Sequence, residues 1–149
     1  MLTIIDKIEN RMSSWVWGEF VLMTVIGLMT YIGLVFLGVR FSLSLAVIAG
    51  LLEVVPIIGP ILSAAPAFLV ASATSPVLGG TILILYLIIQ QLENNIIVPT
   101  VMRRAVGMNP VFTLIALSIG GKLGGLFGII LAVPIALAIE TILIEISKK

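Results

Sequence analysis

The sequence predicts an all-α, polytopic integral membrane protein whose helices are broken by proline and glycine or re-enter the bilayer. Of the 149 residues, 60% are hydrophobic and only 10% are charged, whereas an ordinary soluble domain carries about 25% charged residues. The mean hydropathy is +1.31. A soluble fold of this length leaves about a third of its unfolded-state surface exposed, and the polar residues are too few to cover it. We therefore expect a multi-pass protein of the cytoplasmic membrane.

Composition also excludes several classes of function. The chain has no cysteine and no histidine, which excludes disulfide scaffolds, Cys/His zinc sites and Cys–His or Ser–His catalytic pairs. Asp6 is the only aspartate, so a pair of catalytic aspartates is excluded as well. The net charge of +1 provides no basic field for nucleic acid. We expect no enzymatic activity, no cofactor, no metal and no nucleic-acid partner, with the lipid bilayer as the surrounding partner.

Residues 1–19 are predicted to form an amphipathic interfacial helix. Apolar side chains recur there at steps of three and four, at Leu2, Ile5, Ile8, Met12 and Trp15. Tryptophan at its end suits the headgroup region. One interpretation lays this helix along the interface, and the other packs it on a part of the same protein that is missing from this chain. A helical transmembrane core is predicted over 20–146, with a polar tail at 147–149.

The first half of this core contains one uninterrupted run and one broken run. Residues 20–39 carry no charge and form about 30 Å of helix, the thickness of the hydrocarbon layer. Residues 41–71 are too long for one span and contain Glu53 and two prolines. Since proline kinks or ends a helix, we predict separate helices over 42–52 and about 61–71, followed by a turn at 72–76 and a third apolar run over 77–92.

The second half is predicted to contain a short apolar segment and a longer helix. Residues 111–119 give only about 14 Å of helix. They form either half of a re-entrant hairpin with Lys122 at its tip or part of a nearly full span, and the sequence leaves both open. The helix over 126–144 is expected to break at Pro134. A stripe of small side chains predicts close helix packing, within the chain or between protomers, and comprises Gly124, Gly128, Ala132 and Ala136.

Four motifs make the pattern specific. They are LLEVVPIIGP at 51–60, QQLENNIIVPTVM at 90–102, AVGMNP at 105–110 and GGKLGGLFGIILAVP at 120–134. In this order and spacing they resemble the conserved C-terminal portion of the autoinducer-2 exporter family of bacterial and archaeal membrane permeases. The resemblance implies a transporter of small polar signals or, in some members, an exchanger of sodium or lithium for protons. Because members are usually more than twice this long, it also implies a missing N-terminal half as a partner, and homo-oligomers are possible.

Glu53 is the strongest candidate for a site residue because the run of residues around it is otherwise apolar. A carboxylate at membrane depth costs several kcal/mol unless it is paired or hydrated, so we expect it to face a cavity or a cation. The hypothesis is that Glu53 forms an ion or proton site together with backbone freed by Pro56, Gly59 and Pro60. The alternative is that Glu53 caps a helix break at the membrane surface.

A polar cluster after the third apolar run is the second candidate site. Its members, with the proline that follows them, are Gln90, Glu93, Asn94, Asn95 and Pro99. Amide groups suit a polyhydroxylated small molecule, so these residues are predicted to line a transport pathway. The alternative is a helix end at the interface, marked by Pro99 and the arginines after it. The leading interpretation is a permease for a small polar solute or cation, and the alternative is a non-transporting membrane scaffold.

Overall fold

A computed structural model describes residues 4–55, 58–105 and 110–147, and helices account for nearly all of them. The helices are α1 (Ile4–Phe36), α2 (Ser42–Leu52), α3 (Ile58–Thr74), α4 (Pro76–Leu92), a π-helical segment (Glu93–Ile97), α5 (Val98–Ala105) and α6 (Pro110–Ile146). In these ranges three stretches are long and apolar enough to cross a membrane: Ile4–Phe36, Pro76–Val101 and Val111–Ile146, the last of which bends at Gly125. The predicted all-α membrane class is confirmed.

Helix α1 is continuous across the boundary predicted at residues 19 and 20. Its 33 residues make about 50 Å of helix, against about 30 Å of hydrocarbon. No proline interrupts it, and it ends before Gly38, whose φ of 68° turns the chain. Part of α1 must therefore tilt or extend beyond the hydrocarbon layer. The interfacial role of residues 1–19 stays a prediction.

Helices α2, α3 and α4 follow the predicted order, with α2 at the predicted bounds of 42–52. Helix α3 begins at Ile58, so Pro60 lies in its first turn. The N–H groups of a first turn have no partner within the helix, so proline costs no hydrogen bond there. Pro76 occupies the first position of α4 after the extended Ser75, which is a favoured place for proline. Helix α3 packs along both α4 and α2.

The chain divides into two compact units, which we name by their residues. The terminal unit comprises 1–18 and 101–149, and the central unit comprises 19–100. The core of the central unit contains Leu34, Val39, Leu45, Ala67, Ala71, Ile82 and Tyr86. Helices α1 and α2 cross closely, since a Cβ on Gly50 would lie 2.8 Å from the Met23 carbonyl oxygen. Small residues thus let the helices of this unit approach one another.

Helix α6 is folded back on itself at Gly125. This residue has φ 55° and ψ −133°, outside the helical region, and glycine adopts such a conformation without a steric penalty. On the two sides of it, Gly120 and Gly128 approach so closely that a Cβ on either would overlap the other's carbonyl oxygen. A straight helix would hold them about 12 Å apart. Of the two interpretations left open for this region, the structure therefore adopts a hairpin.

The arms of this hairpin differ in length. The first arm, 110–124, is about 22 Å long at 1.5 Å per residue, too short to cross the hydrocarbon layer. The second arm, 126–146, is about 31 Å long and reaches across it. Exposed Lys122 lies beside the tip. The predicted break at Pro134 is wrong, because the helix continues through this proline. Pro134 removes one backbone hydrogen bond without ending the helix, as neighbouring groups in membrane proteins allow.

The terminal unit joins the polar face of the N-terminal helix to the end of α6. Lys7 Nζ lies 2.6 Å from Glu145 Oε1, and an Arg11 guanidinium nitrogen lies 2.7 Å from Glu140 Oε2. The other terminal nitrogen of Arg11 donates to Thr141 Oγ1 at 2.8 Å. The segment thus packs on this chain's own last helix, a partner that the sequence analysis did not consider.

Reversing the charge of Arg11 tests this pairing. Arg11→Glu is expected to lower the free energy of unfolding by about 1 to 3 kcal/mol, between the ranges of exposed and buried ion pairs. The side chains of Arg11 and Glu140 are 23% and 16% exposed, so solvent screens them only in part. Adding Glu140→Arg to Arg11→Glu should restore part of the lost free energy of unfolding. Detergent-titration unfolding of the two variants measures both effects, and the absence of any restoration would contradict the pairing.

Candidate functional site

The central unit buries three glutamates. Glu19, Glu53 and Glu93 are only 5%, 3% and 5% exposed. Glu19 lies on α1, Glu53 directly follows α2, and Glu93 follows α4 as the first residue of the π-helical segment. Three separate elements therefore each bring one carboxyl group into the interior of one unit.

The three carboxyl groups lie close together. Glu53 and Glu93 face each other within reach of a hydrogen bond, and Glu19 is near enough to interact electrostatically with both. In addition, Oε2 of Glu53 and Oε2 of Glu93 are fully buried with no hydrogen-bond partner. An ionised carboxylate only accepts hydrogen bonds. A bond between these two groups therefore requires a proton on one of them. We call the three residues the carboxyl cluster.

The break between α2 and α3 positions Glu53. The backbone N–H of Glu53 still donates to the Ala49 carbonyl, and the N–H of Gly59 then donates to the Val55 carbonyl at 2.8 Å. Gly59 passes so close to the Leu52 carbonyl oxygen that a Cβ there would overlap it. The sharp turn that leaves Glu53 buried therefore depends on a residue without a side chain.

The stripe along α4 positions Glu93. The buried residues of this helix and the π-helical segment recur at steps of three and four, and they are Gly79, Ile82, Tyr86, Ile89 and Glu93. Pro99 lacks an N–H, and its ring crowds the carbonyl four residues earlier. A π-helical turn just before it widens the backbone at that point. Pro99 is accommodated in this way and does not end the helix at the polar cluster.

The predicted polar residues are placed differently from one another. Glu53, Gly59 and Glu93 are buried, Pro60 and Pro99 are partly buried, and Pro56 lies outside the described residues. Gln90 is partly buried, whereas Asn94 and Asn95 are exposed. Asn95 Nδ2 donates to the Gln91 carbonyl and to Gln91 Oε1, at 2.7 and 3.1 Å. The structure thus brings Glu53 and Glu93 together and leaves the two asparagines outside the cluster. Their roles in a pathway stay predictions.

Glu19 is the member of the cluster that the sequence analysis missed. It stands two residues after Trp17, at the end of the segment 1–19 that is predicted to be an interfacial helix. The available signal was its register on α1, where Glu19, Leu22, Ile26, Thr30 and Leu34 lie on one buried stripe. A glutamate in phase with a buried apolar stripe indicates an interior carboxyl group.

No cation neutralises the cluster within the central unit. Its sequence contains one basic residue, Arg40. That side chain is exposed, and its guanidinium lies 5.7 Å from the centre of the Phe41 ring. Among the described residues, no group of three or more acidic, histidine or cysteine side chains is arranged to hold a metal ion. The chemistry that the cluster offers is the binding and release of protons and of polar hydrogen-bonding groups.

The central unit also contains an apolar groove, and none of the residues that line it belongs to the cluster. The groove of about 380 Å³ lies between α1 and α4, and includes Gly33, Phe36, Leu85 and Ile88. Its one polar side chain, Thr81, donates its hydroxyl to the Val77 carbonyl of its own helix. The groove therefore offers no free polar group for a hydrophilic solute.

The predicted packing stripe lies on the hairpin of α6. Gly128 and Ala132 approach Gly120 on the opposite arm, since a Cβ on Gly120 would lie 2.9 Å from the Ala132 Cβ. Ala136 is buried. Nothing lies within 4 Å of a Cβ built on Gly124, because this residue is at the tip. The stripe thus contacts another arm of the same helix at its centre.

Long apolar helices that enclose ionisable side chains define an integral membrane protein with a polar interior, an arrangement associated with ion and substrate pathways. Comparison with known proteins identifies which family of membrane proteins this is. A family model described as AI-2E family transporter matches residues 1–148. The chain belongs to this family of transporters and permeases, which confirms the resemblance drawn from the four motifs.

Curated relatives carry corresponding names. The chain is 30% identical to "Putative transport protein YueF" of Bacillus subtilis over 99% of its own length and 40% of the relative's. It is 31% identical to "Putative transport protein YrrI" of the same organism, over 95% and 40%. It is 30% identical to "Putative permease PerM" of Escherichia coli K12, over 92% and 39%. The chain thus spans about two fifths of the length of these relatives.

Proposed function

We propose that this chain is part of a multi-pass permease of the cytoplasmic membrane. The permease moves a small polar solute, such as autoinducer-2, across that membrane. The observation that supports this most is the carboxyl cluster, because buried ionisable groups in a membrane protein mark pathways for ions and substrates. The family to which the chain belongs supports the same proposal. Further segments of the same protein, such as a missing N-terminal half, and further copies of the chain are proposed partners.

The solute is proposed to pass beside the cluster in the central unit. The helix break after Glu53, near Gly59, and the π-helical turn after Glu93 are proposed to expose backbone carbonyls beside the buried carboxyl groups. Non-helical backbone at membrane depth is tolerated where it is buried in protein or lines a water-filled cavity. Gln90, Asn94 and Asn95 would line the approach to this region with amide groups.

A flux measurement tests this proposal. The protein is reconstituted into liposomes, and entry of isotope-labelled autoinducer-2 is followed for the unmodified chain, Glu53→Gln and Glu93→Gln. Each variant removes one ionisable group at nearly constant shape, and flux is expected to fall about tenfold, equivalent to about 1.4 kcal/mol. The matched control is Glu9→Gln, an exposed glutamate of the terminal unit, which should leave flux unchanged.

The outcomes separate the proposal from the alternatives. Equal flux in protein-free and protein-containing liposomes would contradict solute transport and favour a non-transporting scaffold. The carboxyl cluster also favours a second function, exchange of sodium or lithium for protons. When either salt is added outside, the cation would enter as protons leave, so a pH-sensitive dye inside the liposomes should report alkalinisation, and Glu53→Gln should abolish that response.

A further inference from the structure

We infer that Glu19 belongs to the transport site and that the three carboxyl groups form one proton-binding unit, in which Glu53 and Glu93 share a proton and Glu19 controls its release. This inference deepens the proposed function and rests on it for its role in transport. The proton itself is detectable without any transport.

The first step is the facing pair. The carboxyl groups of Glu53 and Glu93 lie within reach of a hydrogen bond, and both residues are at least 95% buried. Two like charges in direct contact away from water repel strongly, so such pairs bind a proton between them. Each residue also keeps a buried Oε2 without a partner. Buried carboxyl oxygens without a hydrogen-bond donor are the places where a bound proton is expected.

The second step is the surrounding charge. Of the other titratable or charged side chains in the central unit, Glu19 on α1 interacts with the pair. Tyr31 and Arg40 are exposed, and Tyr86 lies on α4. Helix α3 contributes no charged residue. The buried Tyr86 hydroxyl lies near the Ser63 side chain and is neutral in its ordinary protonation state. Glu19 is therefore the group whose charge acts on the shared proton.

The third step is the role of Glu19. Its carboxyl group interacts electrostatically with those of Glu53 and Glu93 but is not in hydrogen-bond contact with them. A negative charge at this distance attracts the shared proton and opposes its loss. Glu19 is thus a positioning residue for the proton, acting through the pair. Because α1 carries it, any change in the approach of α1 to the pair changes how tightly the proton is held.

Infrared spectroscopy of the full chain in lipid vesicles tests this inference, since the C=O band of a protonated carboxyl group is distinct from the bands of a carboxylate. The other four acidic side chains, Asp6, Glu9, Glu140 and Glu145, all belong to the terminal unit. At neutral pH the unmodified chain is expected to show the protonated band, and Glu53→Gln should weaken it, because the shared position is lost while Glu19 and Glu93 stay buried. Glu19→Gln should keep the band but lose it at a pH lower by about one unit.

Two further variants complete the test. Glu19→Asp keeps the charge and should lose the band at a pH close to that of the unmodified chain, while Glu9→Gln should not differ from it. Absence of the band at neutral pH in the unmodified chain, or identical titrations for Glu19→Gln and Glu9→Gln, would overturn the inference.

If the band behaves as expected but solute flux is absent, the proposed function fails and the proton-binding unit stands. If flux is present without the band, only the inference fails.

Discussion

Gly128→Ala is expected to open the hairpin of α6. The added methyl group would overlap the carbonyl oxygen of Gly120, and a backbone atom in a helix cannot rotate away as a side chain can. Overpacking commonly costs about 1 to 3 kcal/mol, and we expect this variant to lie at or above the upper end. The first arm would then lose its contact with Gly128 and Ala132.

Cysteine crosslinking measures this effect directly, because the chain contains no cysteine of its own. A Cβ at position 121 would lie 3.3 Å from Ile129 Cγ1, so Gly121→Cys with Ile129→Cys should form a disulfide, which requires closely spaced Cβ atoms. The Gly128→Ala substitution should slow or abolish this crosslink. The matched control is Gly124→Ala, where a methyl group meets nothing within 4 Å. An unchanged crosslinking rate in Gly128→Ala would contradict the hairpin packing.

Gly59→Ala is expected to destabilise the central unit and to displace Glu53. Here the methyl group would overlap the carbonyl oxygen of Leu52, and it would approach the Glu53 nitrogen to 3.1 Å. Relief requires α2 and α3 to separate, so the carboxyl cluster should lose its geometry together with the fold. We expect a loss of about 3 kcal/mol or more in unfolding free energy, because the obstacle is backbone.

Gly80→Ala provides the matched control for Gly59→Ala. Gly80 lies within α4, where a Cβ meets nothing within 4 Å, and alanine is favoured over glycine in a helix by about 1 kcal/mol. Gly80→Ala should therefore leave stability unchanged or raise it, as measured by unfolding in a denaturing detergent. Equal stability of the two variants would contradict the close approach of α2 and α3.

The sequence predicted the helical elements well where local signals mark their ends. Helix α2 begins at Ser42 and ends at Leu52 as predicted, and α4 begins within one residue of the prediction at Pro76. Proline was less reliable as a signal. Pro134 lies inside a continuous helix and Pro99 follows a π-helical turn, because tertiary packing and local widening can absorb the missing hydrogen bond.

The site was predicted in part, for a different reason. An isolated glutamate in an apolar run is visible in the sequence, and so Glu53 and Glu93 were identified. Their proximity depends on how α2 and α4 pack, which no local pattern contains. Glu19 was missed because its neighbours on the N-terminal side are polar. The exposed Asn94 and Asn95 looked equivalent to Glu93, since the phase of a helix relative to its core is set by tertiary structure.

The small residues at the helix crossings reverse the usual pattern of sensitivity to substitution. In a soluble core, the costly changes are truncations of large apolar residues. Here many large side chains are exposed, such as Phe36 at 89% and Val77 at 79%, and lipid solvates them whether they are long or short. The intolerant positions are instead Gly50, Gly59 and Gly128, where enlargement drives backbones apart. In a mutational scan of this chain, substitutions at the smallest side chains should therefore lower stability most. Apolar replacements of the largest side chains should lower it least.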